Sequence, residues 1–231
     1  FRYPGILSDS DMLTMGYSFR PWTEPKTISD GAAIRRYIED TARESGFADR
    51  IRFRHRVVRA DWSSADARWT VEAVRRDDAG REEPVRFTAG FLCSCAGYYR
   101  YAEGYTPAFA GRDDFRGAIV HPQHWPEDLD VAGKRVVLIG SGATAITLLP
   151  SLAKTAGHVT MLQRSPTWIV SRPERDPIAS FLRRVLPVRA AFQVARWLNT
   201  AFQQYAYRAA RRRPERARRF LLRQVRQHLG P

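Results

Sequence analysis

The stretch KRVVLIGSGATA, residues 134–145, decides the fold. Its first half is a continuous apolar run, the pattern of a parallel strand buried on both faces. Its second half, Gly140-Ser141-Gly142-Ala143-Thr144-Ala145, fits G-x-G-x-x-G/A, with a strand before it and a helix predicted over 143–156 after it. The first glycine permits a tight turn, the second lets a pyrophosphate approach the backbone, and the small third residue lets helix and strand pack closely. Phosphates then rest on free N–H groups at the positive end of the helix. A second buried strand is predicted for HVTMLQR, residues 158–164, which completes a βαβ unit.

The end of that second strand distinguishes the dinucleotides. A site for NAD usually carries Asp or Glu there, about 20 residues after the glycines, to hold the ribose hydroxyls. This chain has Gln163-Arg164-Ser165. A carboxylate would repel a 2′-phosphate, whereas a guanidinium holds it with two parallel hydrogen bonds. Arg164 and Ser165 therefore point to NADP.

Upstream, residues 1–28 are irregular and aromatic, punctuated by Pro4, Gly5, Pro21 and Pro25. Ser29 or Asp30 is expected to cap a helix with Ala33, Ile34, Tyr37, Ile38 and Ala42 on its apolar face, stopped at Gly46. Alternation predicts strands over 51–61 and 68–76, a turn at Asp78-Ala79-Gly80, and a more continuously apolar strand over 87–96. A helix, an antiparallel meander and one buried strand read as the second half of a domain. The chain enters dense sequence at Phe1 rather than Met, so an internal fragment is expected. Beyond Pro177 the pattern is helical, divided at Pro187 and Pro214.

Charge is unevenly placed. The net charge is +14, and residues 178–231 hold thirteen arginines against one acid, Glu215. Basic character is thus local, which does not support nucleic-acid binding by the whole chain. There is no run of about 18 apolar residues and no leader pattern, so a cytoplasmic protein is expected. Cys93 and Cys95 lie in the predicted 87–96 strand and lack C-x-x-C spacing; two small, buried, reduced residues are expected. His124 reads as a polar loop residue, and His55, His158 and His228 have no metal-ligand spacing.

A second motif precedes the glycine turn. In FRGAIVHPQHWP, residues 115–126, the positions Phe115, Gly117, His121, Trp125 and Pro126 match F-x-G-x-x-x-H-x-x-x-W-P in full. This resembles the fingerprint of the type I Baeyer–Villiger monooxygenases, a branch of the flavin-containing monooxygenases. Arg2-Tyr3-Pro4-Gly5 with Asp9 resembles the family's R-Y-P-G-x-x-x-D segment, and Cys95-Ala96-Gly97-Tyr98-Tyr99 resembles a strand end that meets the flavin nucleotide. SDSDM, FRPW, HPQHWPEDLD, IGSGATA and MLQRSPT resemble the ethionamide-activating type in particular.

The resemblance implies an α/β, Rossmann-like flavoprotein with two dinucleotide-binding domains, here with an antiparallel β-meander and a C-terminal helical insertion. The expected layout is the C-terminal part of an FAD domain over 1–108, a fingerprint linker over 109–133, an NADP-binding βαβ unit over 134–177 and a basic helical insertion over 178–231. It implies FAD and NADPH as cofactors, and O2 and a small organic substrate as partners. One oxygen would go next to a ketone carbonyl or onto sulfur or nitrogen. By the same resemblance, Asp9 orients an active-site arginine and touches NADP, while His121 acts on the relative motion of the two domains. Tyr3 lies in the segment between the flavin and the nicotinamide, Ser8 contacts NADP, Met15 lies near FAD, and Val57 holds the adenine through its backbone. Ala96 and Gly97 meet the flavin nucleotide. Leu7 departs from the pattern, since many relatives have Arg there. A first G-x-G-x-x-G is expected ahead of Phe1 and further sheet after the helices, so these residues alone are expected to be inactive.

Two other readings fit parts of the sequence. A nicotinamide–disulfide reductase shares the two-domain fold but needs a C-x-x-C or C-x4-C dithiol, which the sequence lacks. A non-catalytic, basic, membrane-surface module rests on Phe181, Leu182, Val185, Phe192, Trp197, Phe202, Phe220 and Leu221 interleaved with arginines. The simpler expectation is that these helices pack on the NADP unit and show a basic outer face, with peripheral membrane contact as the alternative.

Overall fold

A computed structural model describes residues 3–165, 167–170 and 172–229. Phe1, Arg2 of the R-Y-P-G segment, Pro166 of MLQRSPT and Pro231 lie outside them. In chain order the elements are α1 (Met12–Met15), α2 (Gly31–Glu44), β1 (His55–Ser63), β2 (Arg68–Arg76), β3 (Glu82–Ala89), β4 (Arg135–Ile139), α3 (Ala143–Leu152), β5 (His158–Leu162), α4 (Pro177–Val185), α5 (Val188–Arg212) and α6 (Pro214–Leu229). They form two compact units, one from residues up to Ile38 together with those from Thr106 onward, the other Glu39–Tyr105.

In the first unit β4 and β5 pair in parallel, from Arg135 opposite His158 to Ile139 opposite Leu162. The predicted strand–turn–helix–strand order is present, with two corrections. The strands are not buried on both faces: Val136 and Leu138 are half-buried, whereas Val137 is 64% exposed and Ile139 and Leu162 are also open. Among the described residues α3 is the main element packed against this two-stranded sheet, and its other face is open. Helix α3 also ends earlier than predicted. The carbonyl of Leu152 accepts from both Thr155 and Ala156 N–H, which turns the chain back toward β5.

The unit's core lies elsewhere. Met12 and Leu13 of α1, Trp22, Ala33 and Tyr37 of α2, Ala179 of α4, and Phe192 and Ala195 of α5 are buried together. Trp22 meets Tyr37 edge-on at 5.2 Å, and its indole N–H donates to the Lys26 carbonyl at 2.8 Å. The Tyr37 hydroxyl donates to the Arg20 carbonyl at 2.6 Å and accepts from Tyr17 N–H at 2.9 Å. Burial raises its pKa above the usual tyrosine value. The helices after Pro177 are therefore divided at Pro187 and Pro214 as predicted, but α5 packs on α1, where residues 12–37 offer a complementary apolar surface; they do not cover the βαβ unit.

Helix α2 begins where predicted. Asp30 is the cap, its carboxylate accepting from Ala33 N–H at 2.8 Å, and Ala33, Tyr37 and Ala42 are buried, while Ile38 is exposed. The second unit holds the antiparallel meander β1-β2-β3, with β1 at an edge and a register shift between Val57 and Arg59. Strand β1 starts at His55 rather than at residue 51, because Arg54 takes a left-handed turn at φ 60° and its carbonyl already accepts from Arg76 N–H.

The predicted strand over 87–96 is only partly realised. Strand β3 ends at Ala89, and residues 91–97 form no ladder, because among the described residues no strand lies beside them. Cys93 and Cys95 are consequently exposed, not buried, as free thiols with sulfurs 3.8 Å apart. Hydrogen bonding and charge from Cys93 raise the Cys95 pKa.

Candidate functional site

The glycine turn joins β4 to α3 as its sequence demands. Gly140 has φ 123°, a conformation that favours glycine, and its N–H donates to the Leu162 carbonyl at 2.9 Å, tying the turn to the end of β5. An added Cβ at Gly140 or Gly142 would meet nothing within 4 Å, so the space over the turn is open. Gly142 caps α3 without a side-chain hydrogen bond. The opening amides, at Ala143, Thr144 and Ala145, have no carbonyl one turn earlier in the helix and are available to an external acceptor. Ala145 is buried against the sheet, the close-packing role its small size predicts, while Gly142 and Ala143 are exposed.

Ser141 and the strand end face one another. The Ser141 and Thr167 hydroxyls lie 3.0 Å apart, so Thr167 lies against the turn. Arg164 and Ser165 are exposed, and among the described residues Arg164 has no carboxylate partner. Gln163 is half-buried at the same strand end.

The N-terminal segment sits against the same helix. The Tyr3 hydroxyl is 3.1 Å from that of Thr147 on α3. At Gly5, with φ 75°, a Cβ would come within 2.9 Å of Ser151 and of the Thr147 carbonyl, so the Tyr3-Pro4-Gly5 turn lies directly on α3. Ser8 is spent partly on structure: its N–H donates to the Ser29 carbonyl at 2.8 Å and its hydroxyl accepts from Ser29 N–H at 3.0 Å. Asp9 is exposed and Met15 is 56% exposed.

The fingerprint segment forms a short 3-10 turn, Pro122–His124. His121 is exposed and caps that turn, its Nδ1 accepting from Gln123 N–H at 3.2 Å. His124 is exposed, but it ends this 3-10 turn rather than lying in an irregular loop. The Phe115 ring, itself exposed, lies over Gly117, where an added Cβ would come within 2.7 Å of it.

The remaining predicted residues lie in the second unit. Val57 is 61% exposed at the irregular point of edge strand β1. Ala96 and Gly97 are exposed, and Gly97 has φ 71°.

Residues 4–223 match the flavin-binding monooxygenase-like family. The chain belongs to that family. It is 52% identical over 242 residues to the FAD-containing monooxygenase EthA of Mycolicibacterium smegmatis, covering 100% of this chain and 48% of that protein. The chain thus spans about half the length of the curated relatives it matches. Among solved structures it resembles an oxidized steroid monooxygenase bound to NADP, with TM-score 0.59, 35% identity, and coverage of 73% of this chain and 32% of that one. A cyclohexanone-bound cyclohexanone monooxygenase aligns with TM-score 0.61 and 28% identity, covering 76% and 33%. The fold class is the one expected: Rossmann-like α/β with an antiparallel meander and added C-terminal helices.

Sequence reasoning missed Asp11. Its carboxylate is 3% exposed, caps α1 by accepting from Thr14 N–H at 2.9 Å, and accepts from Gln203 Nε2 at 3.0 Å. Arg172 lies 3.8 Å away. The signal was present locally, since Asp three residues before Thr is an N-cap spacing. Also missed were Arg183 and Arg196, which donate to backbone carbonyls of residues 13–24.

Proposed function

We propose that this chain is part of an FAD- and NADPH-dependent monooxygenase, which puts one O2-derived oxygen next to a ketone carbonyl or onto sulfur or nitrogen of a small organic molecule. The open glycine turn at the N-terminus of α3, with Arg164 at the neighbouring strand end, carries this reading. Bound FAD, reduced by NADPH, supplies the oxygen chemistry.

The chain's own residues bind and orient. Gly140 and Gly142 leave room for a pyrophosphate, and the amides of Ala143, Thr144 and Ala145 offer it hydrogen bonds, with Ser141 beside them. Arg164 and Ser165 hold the 2′-phosphate. Tyr3, Ser8, Asp9 and Met15 form the segment that faces both cofactors. Val57 has the backbone groups of an edge strand to offer an adenine, and Ala96 and Gly97 supply a chain turn free of bulky side chains. His121 holds the fingerprint turn and acts through it on domain motion rather than on a reacting atom.

Calorimetric titration with NADP+ and NAD+ tests the cofactor part. Arg164→Ala should weaken NADP+ about ten- to a hundredfold, the value of a charge-assisted phosphate contact, and leave NAD+ unchanged. Equal losses for both would remove Arg164 from the 2′-phosphate site. For the reaction of the whole protein, one labelled oxygen from O2 should appear in the ester or sulfoxide formed from a cyclic ketone or thioether, and the other in water, for each NADPH consumed.

A second reading concerns location. Phe181, Val185, Trp197, Phe202 and Phe220 remain exposed among the arginines of α4–α6, a combination suited to an anionic membrane surface. Among the described residues no helix is long and apolar enough to cross a membrane. Co-sedimentation with anionic but not with neutral vesicles is the expected result; equal partition to both, or to neither, would discard this reading.

A further inference from the structure

Helix α1 is a single turn of four residues, too short to persist without outside support. Its support comes from α5, far away in sequence. At its N-terminal end the Asp11 carboxylate, which caps the turn, accepts from Gln203 Nε2 at 3.0 Å. At its C-terminal end Arg196 donates to the carbonyls of Leu13 at 3.1 Å and Gly16 at 2.6 Å. Arg196 and Gln203 are seven residues apart, two turns of α5, so both project from one face and span roughly 10 Å along it. That spacing brackets a four-residue turn about 6 Å long. Helix α5 is itself fixed, with Ala191, Phe192 and Ala195 buried and Asn199 Nδ2 donating to Asp176 at 2.8 Å.

We propose that Arg196 and Gln203 are positioning residues: α5 clasps α1 at both ends and so sets the conformation of the Ser8–Met15 loop in which it meets the nicotinamide cofactor. This rests on the cofactor reading above. The helical insertion then acts on cofactor binding through the backbone of residues 11–16, without a side chain touching the cofactor. A mere packing role for α5 would need only the apolar contacts of Phe192 and Ala195, and would leave the two polar grips without consequence.

The test compares Arg196→Met, Arg196→Lys and Gln203→Met with the unaltered chain by amide hydrogen exchange and by calorimetric titration with NADP+. The Thr14, Met15 and Gly16 amides report directly, because they bond within the turn to Asp11 and Met12. Arg196→Met and Gln203→Met should speed their exchange by about tenfold or more while β2 amides keep their rates, and should raise the NADP+ dissociation constant at least several-fold. Arg196→Lys, which keeps a cation near the carbonyls, should recover part of both effects. Gln203 is exposed, so its variant carries the test if Arg196→Met does not fold. Unchanged exchange at 14–16 would overturn the clasp. Faster exchange with unchanged NADP+ affinity would overturn its link to the cofactor. An unaltered chain that does not bind NADP+ would instead fail the cofactor reading, with the exchange data still judging the clasp.

Discussion

Replacing Gly5 by Ala tests whether the N-terminal turn is seated on α3 as described. Gly5 has φ 75°, where an L-residue costs about 1–2 kcal/mol. The new Cβ would also lie 2.9 Å from the Ser151 side chain and 2.9 Å from the Thr147 carbonyl. A side chain can rotate away, but a helix carbonyl cannot, so an overpacking cost of about 1–3 kcal/mol is added. Together these predict a loss of about 2–5 kcal/mol. Gly133→Ala, in the same unit, is the control: φ is 66°, but a Cβ there meets nothing within 4 Å, so only the conformational part should appear. Urea unfolding of both variants, compared at a common slope, reads the difference. If Gly5→Ala costs no more than Gly133→Ala, the turn does not rest on α3, and the proximity of Tyr3 to Thr147 loses its meaning.

Three further outcomes follow from named contacts. Leu148→Ala removes the most buried side chain of α3 and should destabilise by about 2–5 kcal/mol in urea unfolding; a loss below about 1 would mean that the helix does not pack on β4 and β5. Asp176→Ala deletes the α4 cap, whose carboxylate accepts from Ile178 and Ala179 N–H and from Asn199, and should cost about 1–2 kcal/mol, whereas Asp176→Asn should retain most of it. Removing Cys93 abolishes the hydrogen bond and charge that raise the Cys95 pKa, so in Cys93→Ala the Cys95 thiolate forms at lower pH and iodoacetamide should alkylate it faster near pH 8; an unchanged or slower rate would contradict that cause.

What could be read from the sequence was what neighbouring residues determine together. The β4–glycine turn–α3–β5 unit follows from an apolar run, two glycines and a second apolar run, and the breaks at Pro187 and Pro214 follow from a residue that cannot continue a helix. Asp30 as the α2 cap was one of two adjacent candidates. Residues 91–97 were misread because an apolar run specifies a strand only when another strand pairs with it, and pairing is not a local property. Arg183, Arg196 and the Asp11–Gln203 contact were invisible for a related reason. Their partners lie about 160 to 190 positions away, and nothing in an arginine's own neighbourhood tells a solvated side chain from one donating to a distant carbonyl.

Arg183 shows how such a residue changes the reading of the basic C-terminal helices. Its guanidinium donates to the carbonyls of Trp22 at 2.7 Å, Glu24 at 2.9 Å and Thr23 at 3.2 Å, and burial lowers its pKa from the usual arginine value. Those carbonyls belong to a loop with few backbone partners of its own; the arginine ties the loop to α4 and satisfies the part-buried Trp22 carbonyl. Arg196 does the same for the end of α1. Two of the thirteen arginines after residue 177 are therefore structural donors to the segment before α2, not part of a solvated charge patch. The segment from Tyr3 to Glu24 is held by α3 on one side, through Thr147 and Ser151, and by α4 and α5 through these guanidinium groups. Its conformation is a property of three distant helices. A substitution in α4 or α5 should alter the Ser8–Met15 loop before it alters the glycine turn, and a cofactor phenotype from position 183 or 196 is then no evidence that these residues touch a cofactor.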